Sequence, residues 1–197
     1  MSAALKIGFE NPVAQSQAVF RAVMMALARP GTVRRLDVPV DAVPALDPAA
    51  AAVALALCDY ETPVWLDPAL AADLQVQEFL RFHTGAPVTE ARALASFAFV
   101  PLGGEVPALD DFAQGSLDYP DRSTTLVVAV EALAEGEGWR LTGPGVAGEG
   151  RFIARPLPAD MLDRLQRNHA LFPRGVDLVL TCGDRFAAIP RSTQVDA

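Results

Sequence analysis

Thr124-Thr125-Leu126-Val127-Val128-Ala129-Val130 is β-branched or aliphatic at every position and shows no apolar/polar alternation. A strand exposed on one face alternates. One that is apolar throughout is buried on both faces, as in parallel sheets covered by helices. Val176 to Thr181 has the same character and reads as a second fully apolar strand. Two such runs in a chain that also carries helical patterns predict an α/β fold. The expected form is a three-layer α/β/α arrangement with a mixed sheet and helices on both faces.

Working outward, three segments open with an Asx followed by Pro: Asn11-Pro12, Asp47-Pro48 and Asp67-Pro68. The Asx side chain accepts a bond from an orphan helix N–H, and Pro fits the first helical position, where its missing donor costs nothing. The first predicted helix runs from Pro12 to Ala28, with Val13, Phe20, Met24 and Leu27 near one face. Arg29-Pro30-Gly31 stops it, because a residue before Pro resists the α region. The second, Pro48 to Leu57, is apolar all round and therefore buried. The third runs from Pro68 to about Phe82, and a fourth from Asp160 to His169.

Val33 to Val38, Pro63 to Leu66 and Ser96 to Pro101 read as further strands. Glu135-Gly136-Glu137-Gly138 reads as a turn that brings Trp139 to Thr142 back as a hairpin partner of the 124–130 run. Cys182-Gly183-Asp184 turns the second apolar strand into Arg185 to Ile189. No internal repeat or low-complexity tract interrupts residues 1–197, so one domain is expected.

The composition narrows the function. The 197 residues carry a formal net charge of −8. That excludes broad binding of nucleic acid or of an anionic membrane, both of which need clustered cations. Any anion would be held by arginines, since Lys6 is the only lysine. The mean hydropathy of +0.25 points to a large core plus surface that a partner covers. No signal peptide opens the chain, and the longest apolar run, Ala49 to Cys58, is too short to span a bilayer. A cytoplasmic protein with reduced Cys58 and Cys182 is expected.

Several chemistries fail on their residues. Gly143-Pro144-Gly145-Val146-Ala147-Gly148 matches G-x-G-x-x-G, but Glu149-Gly150, Pro156 and Pro158 prevent the helix that a dinucleotide site requires. It reads as a glycine-rich turn. Pyridoxal phosphate chemistry needs a Schiff-base lysine, and Lys6 sits in a terminal segment. His83 and His169 have no ligand spacing, so no metal or other cofactor is expected. No G-x-S-x-G elbow is present, and both cysteines end apolar elements, where Cys acts as a small hydrophobe.

What remains is polar residues at element ends, where sites tend to be built. Arg81 and His83 stand in Leu80-Arg81-Phe82-His83-Thr84-Gly85, Asp121 and Arg122 precede the first buried strand, and Arg191 follows Pro190. Arginine forks bind phosphate or carboxylate bidentately. These five are the candidate anion or partner contacts; the plainer use of each arginine is pairing with a surplus acid. No catalytic residue is assigned.

The local phrases resemble one family. Phe20-Arg21, Met25 and Ala28-Arg29-Pro30-Gly31 form a first block. Leu57-Cys58-Asp59 with Thr62-Pro63-Val64-Trp65-Leu66 forms a second, and Leu80-Arg81-Phe82-His83-Thr84 with Ala86-Pro87 a third. Leu141-Thr142-Gly143-Pro144-Gly145 is the fourth. The C-terminal block is the strongest: Phe172-Pro173, Gly175-Val176-Asp177-Leu178, Leu180-Thr181-Cys182-Gly183 and Ala188-Ile189-Pro190-Arg191-Ser192-Thr193. In this order, from about Phe9 to Val195, they resemble the PhnH family, the H subunits of bacterial carbon–phosphorus lyase.

The resemblance implies phosphonate catabolism in a core complex with G, I and J subunits. It implies support for transfer of a phosphonate to the ribose C1′ of ATP with loss of adenine, the chemistry itself residing on the I subunit. It implies a fold like that of pyridoxal-phosphate-dependent transferases without the cofactor, and a homodimer when isolated. Two other readings stay open: that the chain lends Arg81, His83, Arg122 or Arg191 to a nucleotide or phosphonate site, and that it is a stand-alone hydrolase.

Overall fold

The structure, a computed structural model, describes residues 8–197. Lys6, and with it the reading of the terminal segment, lies outside the described residues. All three Asx-Pro signals start helices: α1 Pro12–Ala28, α2 Pro48–Leu57 and α3 Pro68–Ala72. In each, the Asx carboxylate or amide oxygen accepts a backbone N–H of the first turn, Asp47 from Ala50 at 2.7 Å and Asp67 from Ala69 at 2.9 Å.

The predicted third helix is two helices. Asp73 adopts an extended backbone, and its carboxylate accepts the Gln75 N–H at 2.8 Å. It thereby ends α3 and caps α4, Leu74–His83. A short polar side chain that bonds its own backbone competes with helix continuation. The last helix, α5, runs Met161–Ala170.

The main sheet has six strands: β1 Arg34–Arg35, β2 Val64–Leu66, β3 Phe97–Val100, β4 Thr125–Ala129, β7 Asp177–Cys182 and β8 Arg185–Ile189. Their spatial order is β1-β8-β7-β4-β3-β2. The four strands β7, β4, β3 and β2 are parallel; β8 runs against them beside β7, and β1 pairs antiparallel with β8 and so runs in their direction again. The sheet is therefore mixed, and the two apolar runs that identified it, β4 and β7, are neighbours at its centre. The expected strand at 33–38 is only the two-residue β1.

The period-2 geometry of strands sends alternate residues to opposite faces. Phe99, Val127, Val179 and Phe186 meet α1, α2 and α4 on the first face. Ala98, Leu126, Val128, Leu178 and Leu180 meet α5 and a second, three-stranded sheet on the other. That sheet is β6-β5-β9, antiparallel, from β5 Ala132–Thr142, β6 Gly150–Arg155 and β9 Gln194–Asp196. The second outer layer is thus a helix plus a sheet.

The expected hairpin between 124–130 and 139–142 does not form. Gly136-Glu137-Gly138 is a bulge inside β5, where the register against β6 shifts between Glu135 and Trp139. Both sides of β4 are already taken by β3 and β7. The Gly143–Gly148 stretch links β5 to β6 with no helix behind it.

The expected inner face of α1 is also corrected. Gln15, Val19, Val23 and Ala26 are buried, while Val13, Phe20 and Met24 are exposed. The buried stripe is mostly small because it lies against the alanine-rich α2, whose Ala49 to Ala54 are all buried. Gln15 is tolerated there because it accepts the Asn11 N–H at 2.6 Å and donates to the Pro39 carbonyl at 3.0 Å. Among the described residues, no helix is long and apolar enough to cross a membrane.

Candidate functional site

The five sequence-predicted residues all reach one end of the main sheet, where the parallel strands begin. Arg81 and His83 sit in the last turn of α4. The loop that follows returns to the start of β2, with Val64 N–H donating to the Pro87 carbonyl at 2.8 Å. Asp121 and Arg122 immediately precede β4. Arg191 follows β8, which is antiparallel to β7 and so leaves the sheet at this same end. Arg81 and His83 stand by the edge strand β2. The other three stand by β4 and β7, with β3 between the two groups.

This end matters because open α/β sheets bind ligands outside the carboxyl ends of their strands. The candidates collect at the opposite end.

The local geometry separates their roles. Arg191 is committed within the chain. Its Nε donates to Asp177 Oδ1 at 3.1 Å and its backbone N–H to the same oxygen at 2.9 Å. The guanidinium also donates to Asp177 Oδ2, the Ser123 hydroxyl and the Pro120 carbonyl. It clasps the loop before β4 to the start of β7. Arg122 stacks over the Tyr119 ring at 4.2 Å, a cation–π contact that holds its guanidinium at the surface. His83 lies against Phe79 at 4.7 Å and Phe82 at 5.0 Å between ring centroids. Gly8, at φ +72°, passes so close that a Cβ there would lie 3.1 Å from His83 Cε1. Arg81 and Asp121 are exposed.

Other chemistry is sparse. His83 and His169 lie on opposite faces of the main sheet, and His169 Nδ1 is 3.1 Å from the Arg191 carbonyl. Among the described residues, no three His, Cys, Asp or Glu side chains gather as a metal would require. Cys58 is buried, and loss of water pushes its thiol well above the ordinary range. The Cys182 thiol donates to the Glu131 carbonyl at 3.1 Å. An open cleft of about 630 Å³ runs along Trp65, Thr89 and Arg92 beside β2. A smaller one of about 370 Å³ lies between α5 and Leu109. None of the five candidates lines either cleft.

Two residues central to this end were not singled out in the sequence, Asp177 and Tyr119. The signal for Asp177 was available: an acid at the mouth of an apolar strand needs a cation, and the loop arginines were the only supply. Tyr119 and Arg122 are three apart, within stacking reach in a turn.

Residues 7–196 match the family described as bacterial phosphonate metabolism protein (PhnH). The chain is 45% identical over 188 residues to the alpha-D-ribose 1-methylphosphonate 5-triphosphate synthase subunit PhnH of Rhizobium meliloti (strain 1021), covering 95% of this chain and 94% of that relative. It is also 35% identical over 82 residues, 42% of each chain, to the putative C-P lyase subunit protein HtxG of Stutzerimonas stutzeri.

Proposed function

From the premise that the chain belongs to the PhnH family of bacterial phosphonate metabolism proteins, we propose that it is an accessory subunit of a carbon–phosphorus lyase complex. It supports transfer of a phosphonate to the ribose C1′ of ATP with release of adenine. The observation that carries this reading is the near full-length 45% identity to a protein named as a subunit of alpha-D-ribose 1-methylphosphonate 5-triphosphate synthase.

The finer parts of the reading follow from it. The partners are the G, I and J subunits, in the cytoplasm, with the chain acting as one domain and forming a homodimer when isolated. The fold is a relative of the pyridoxal-phosphate-dependent transferases that works without that cofactor; the mixed sheet flanked by helices supports this. Arg81, His83, Asp121 and Arg122 serve as partner contacts, with Arg191 holding their loop in place. Their position at the non-ligand end of the sheet favours contact over catalysis.

The test is reconstitution. G, I and J are combined with and without this chain, and adenine release from ATP plus methylphosphonate is followed. The expected result is release that depends on the chain and falls at least tenfold without it. Equal release in its absence refutes the reading.

A further inference from the structure

The carboxyl ends of the parallel strands, where open α/β sheets bind ligands, carry a cleft of about 620 Å³. Small-molecule sites run from roughly 300 to 1,000 Å³. The cleft opens where β2 passes into Asp67 and where the loop after β3 turns at Gly103 and Gly104. Arg92 reaches it from the turn before β3, and Arg164 reaches it from α5.

Asp67 is only 5% exposed, yet half of its carboxylate is unspent. Its Oδ1 accepts the Ala69 N–H at 2.9 Å, and among the described residues nothing donates to Oδ2. Buried polar groups are nearly always bonded, so this oxygen on a cleft wall points to a donor that enters from the cleft.

The two arginines are half used as well. Arg92 spends Nη1 on Asp111 at 2.7 Å. Arg164 spends Nε on Asp160 at 2.9 Å, and Nη1 on the Val106 and Pro107 carbonyls at 2.9 and 3.1 Å. Among the described residues, Arg92 Nε and Nη2 and Arg164 Nη2 have no acceptor. The Arg92 guanidinium lies over the Trp65 ring at 5.1 Å, and Phe112 meets that ring in a T shape at 5.6 Å. A guanidinium held this way is a stacking surface for a flat ring. The Arg164 bonds hold the loop after β3, and walls built in advance lower the ordering cost of binding.

Charge selects among ligands. Three carboxylates, Asp67, Glu105 and Asp111, face two guanidiniums across the cleft. This excess of acid, in a chain of net charge −8, disfavours a phosphate or phosphonate group here. The unspent groups are one acceptor and several donors, which suit an uncharged ring carrying an N–H donor beside lone-pair nitrogens. The edge of adenine has that pattern, an exocyclic amine next to a ring-nitrogen acceptor. Of the parts of ATP and a phosphonate, the base alone is an uncharged flat ring.

We propose that this cleft binds an adenine base. Its exocyclic amine donates to Asp67 Oδ2, a ring nitrogen accepts from Arg92 or Arg164, and the ring lies against the Arg92 guanidinium. The choice of adenine rests on the accessory-subunit reading above, in which adenine is released. Its two sources are the free base and the base of a nucleotide.

The experiment titrates the full chain with adenine, ATP, 6-dimethylaminopurine and inorganic triphosphate by isothermal titration calorimetry. The variants are Asp67→Asn and Arg92→Ala, each checked by circular dichroism melting. Asn keeps an oxygen to cap α3 and puts an NH2 where the free carboxylate oxygen was. The proposal expects saturable adenine binding at one site per chain. Asp67→Asn should keep its melting temperature and weaken binding about tenfold, and Arg92→Ala should weaken it severalfold. The dimethyl analogue has no N–H on its amine and should bind about tenfold more weakly than adenine. If Asp67→Asn fails to fold, Arg92→Ala and the analogue decide. ATP binding equal to adenine assigns the site to the base of a nucleotide, and weaker ATP binding assigns it to the free base. ATP binding tighter than adenine, competition by triphosphate, no saturable adenine binding, or unchanged affinity in the folded variants overturns the proposal. Adenine binding by a chain on which adenine release does not depend keeps this site and removes the subunit reading. Dependence without adenine binding does the reverse.

Discussion

Arg191 and Asp177 close the amino end of the sheet on each other: both the side-chain Nε and the backbone N–H of Arg191 donate to Asp177 Oδ1, at 3.1 and 2.9 Å. Their side chains are only 13% and 17% exposed, so the pair is worth more than a surface ion pair. Removing one partner strands the other charge in a partly dry place. Arg191→Ala should lower stability by about 2–3 kcal/mol in urea unfolding. Arg191→Lys should recover less than half, because an ammonium cannot reproduce the fork that also reaches Ser123 and Pro120.

Asn168 provides a second test of the same region. Its side chain donates to the Val176 carbonyl at 2.9 Å and accepts the Val176 N–H at 2.8 Å, all buried. Asn168→Ala leaves both backbone groups without partners, at a cost of about 2–3 kcal/mol. Amide hydrogen exchange at Val176 should rise well beyond the change at β3, which separates local release from general destabilisation.

The glycine-rich turn is structural. A Cβ on Gly145 would stand 2.1 Å from the Ala28 carbonyl oxygen, with φ at +82°. The turn is pressed onto the end of α1 at Ala28 and Pro30. Gly145→Ala should cost at least about 2 kcal/mol from the disallowed backbone and the collision together. Thermal melting checks it, and Gly148→Ala, at an open position, should cost less.

Asp47 sets a pH dependence of known sign. Burial raises its carboxyl above the ordinary value, opposed by hydrogen bonds from Ala50, Thr181 and Ala49. A group whose folded pKa is raised favours the folded state most when protonated. Its contribution is fully present below the unfolded value near 3.8 and is lost as pH rises through the raised folded value. The stability of the wild type relative to Asp47→Asn should therefore fall as pH increases from about 4, then level off. Urea unfolding of both proteins across pH 4 to 8 measures this. A difference that grows with pH would contradict the assignment.

Arg122 should separate binding from folding. Its guanidinium lies on the exposed Tyr119 ring, a contact worth about 0.5–1 kcal/mol. Arg122→Ala should leave the melting temperature nearly unchanged and weaken partner association severalfold. A large loss of stability would instead make Arg122 part of the Arg191 clasp.

What the sequence determined by itself is what short-range chemistry controls. The three Asx-Pro starts appear where read, because a cap and its helix N–H groups lie within three residues of each other. The double-sided burial of 124–130 and 176–181 follows from their uniform apolarity. The family blocks, the charge and the single lysine are likewise properties of the chain as written. The tertiary structure alone decided the strand partners, because pairing is a long-range competition: β5 looked like a neighbour of β4 until β3 and β7 occupied both its sides. It decided which side of α1 is inside, because a close approach to α2 selects small residues over Phe20 and Met24. It also decided that loops distant in sequence meet at one end of a sheet, with Arg191 turned inward to Asp177, Ser123 and Pro120, and Tyr60, Leu117 and Tyr119 left exposed.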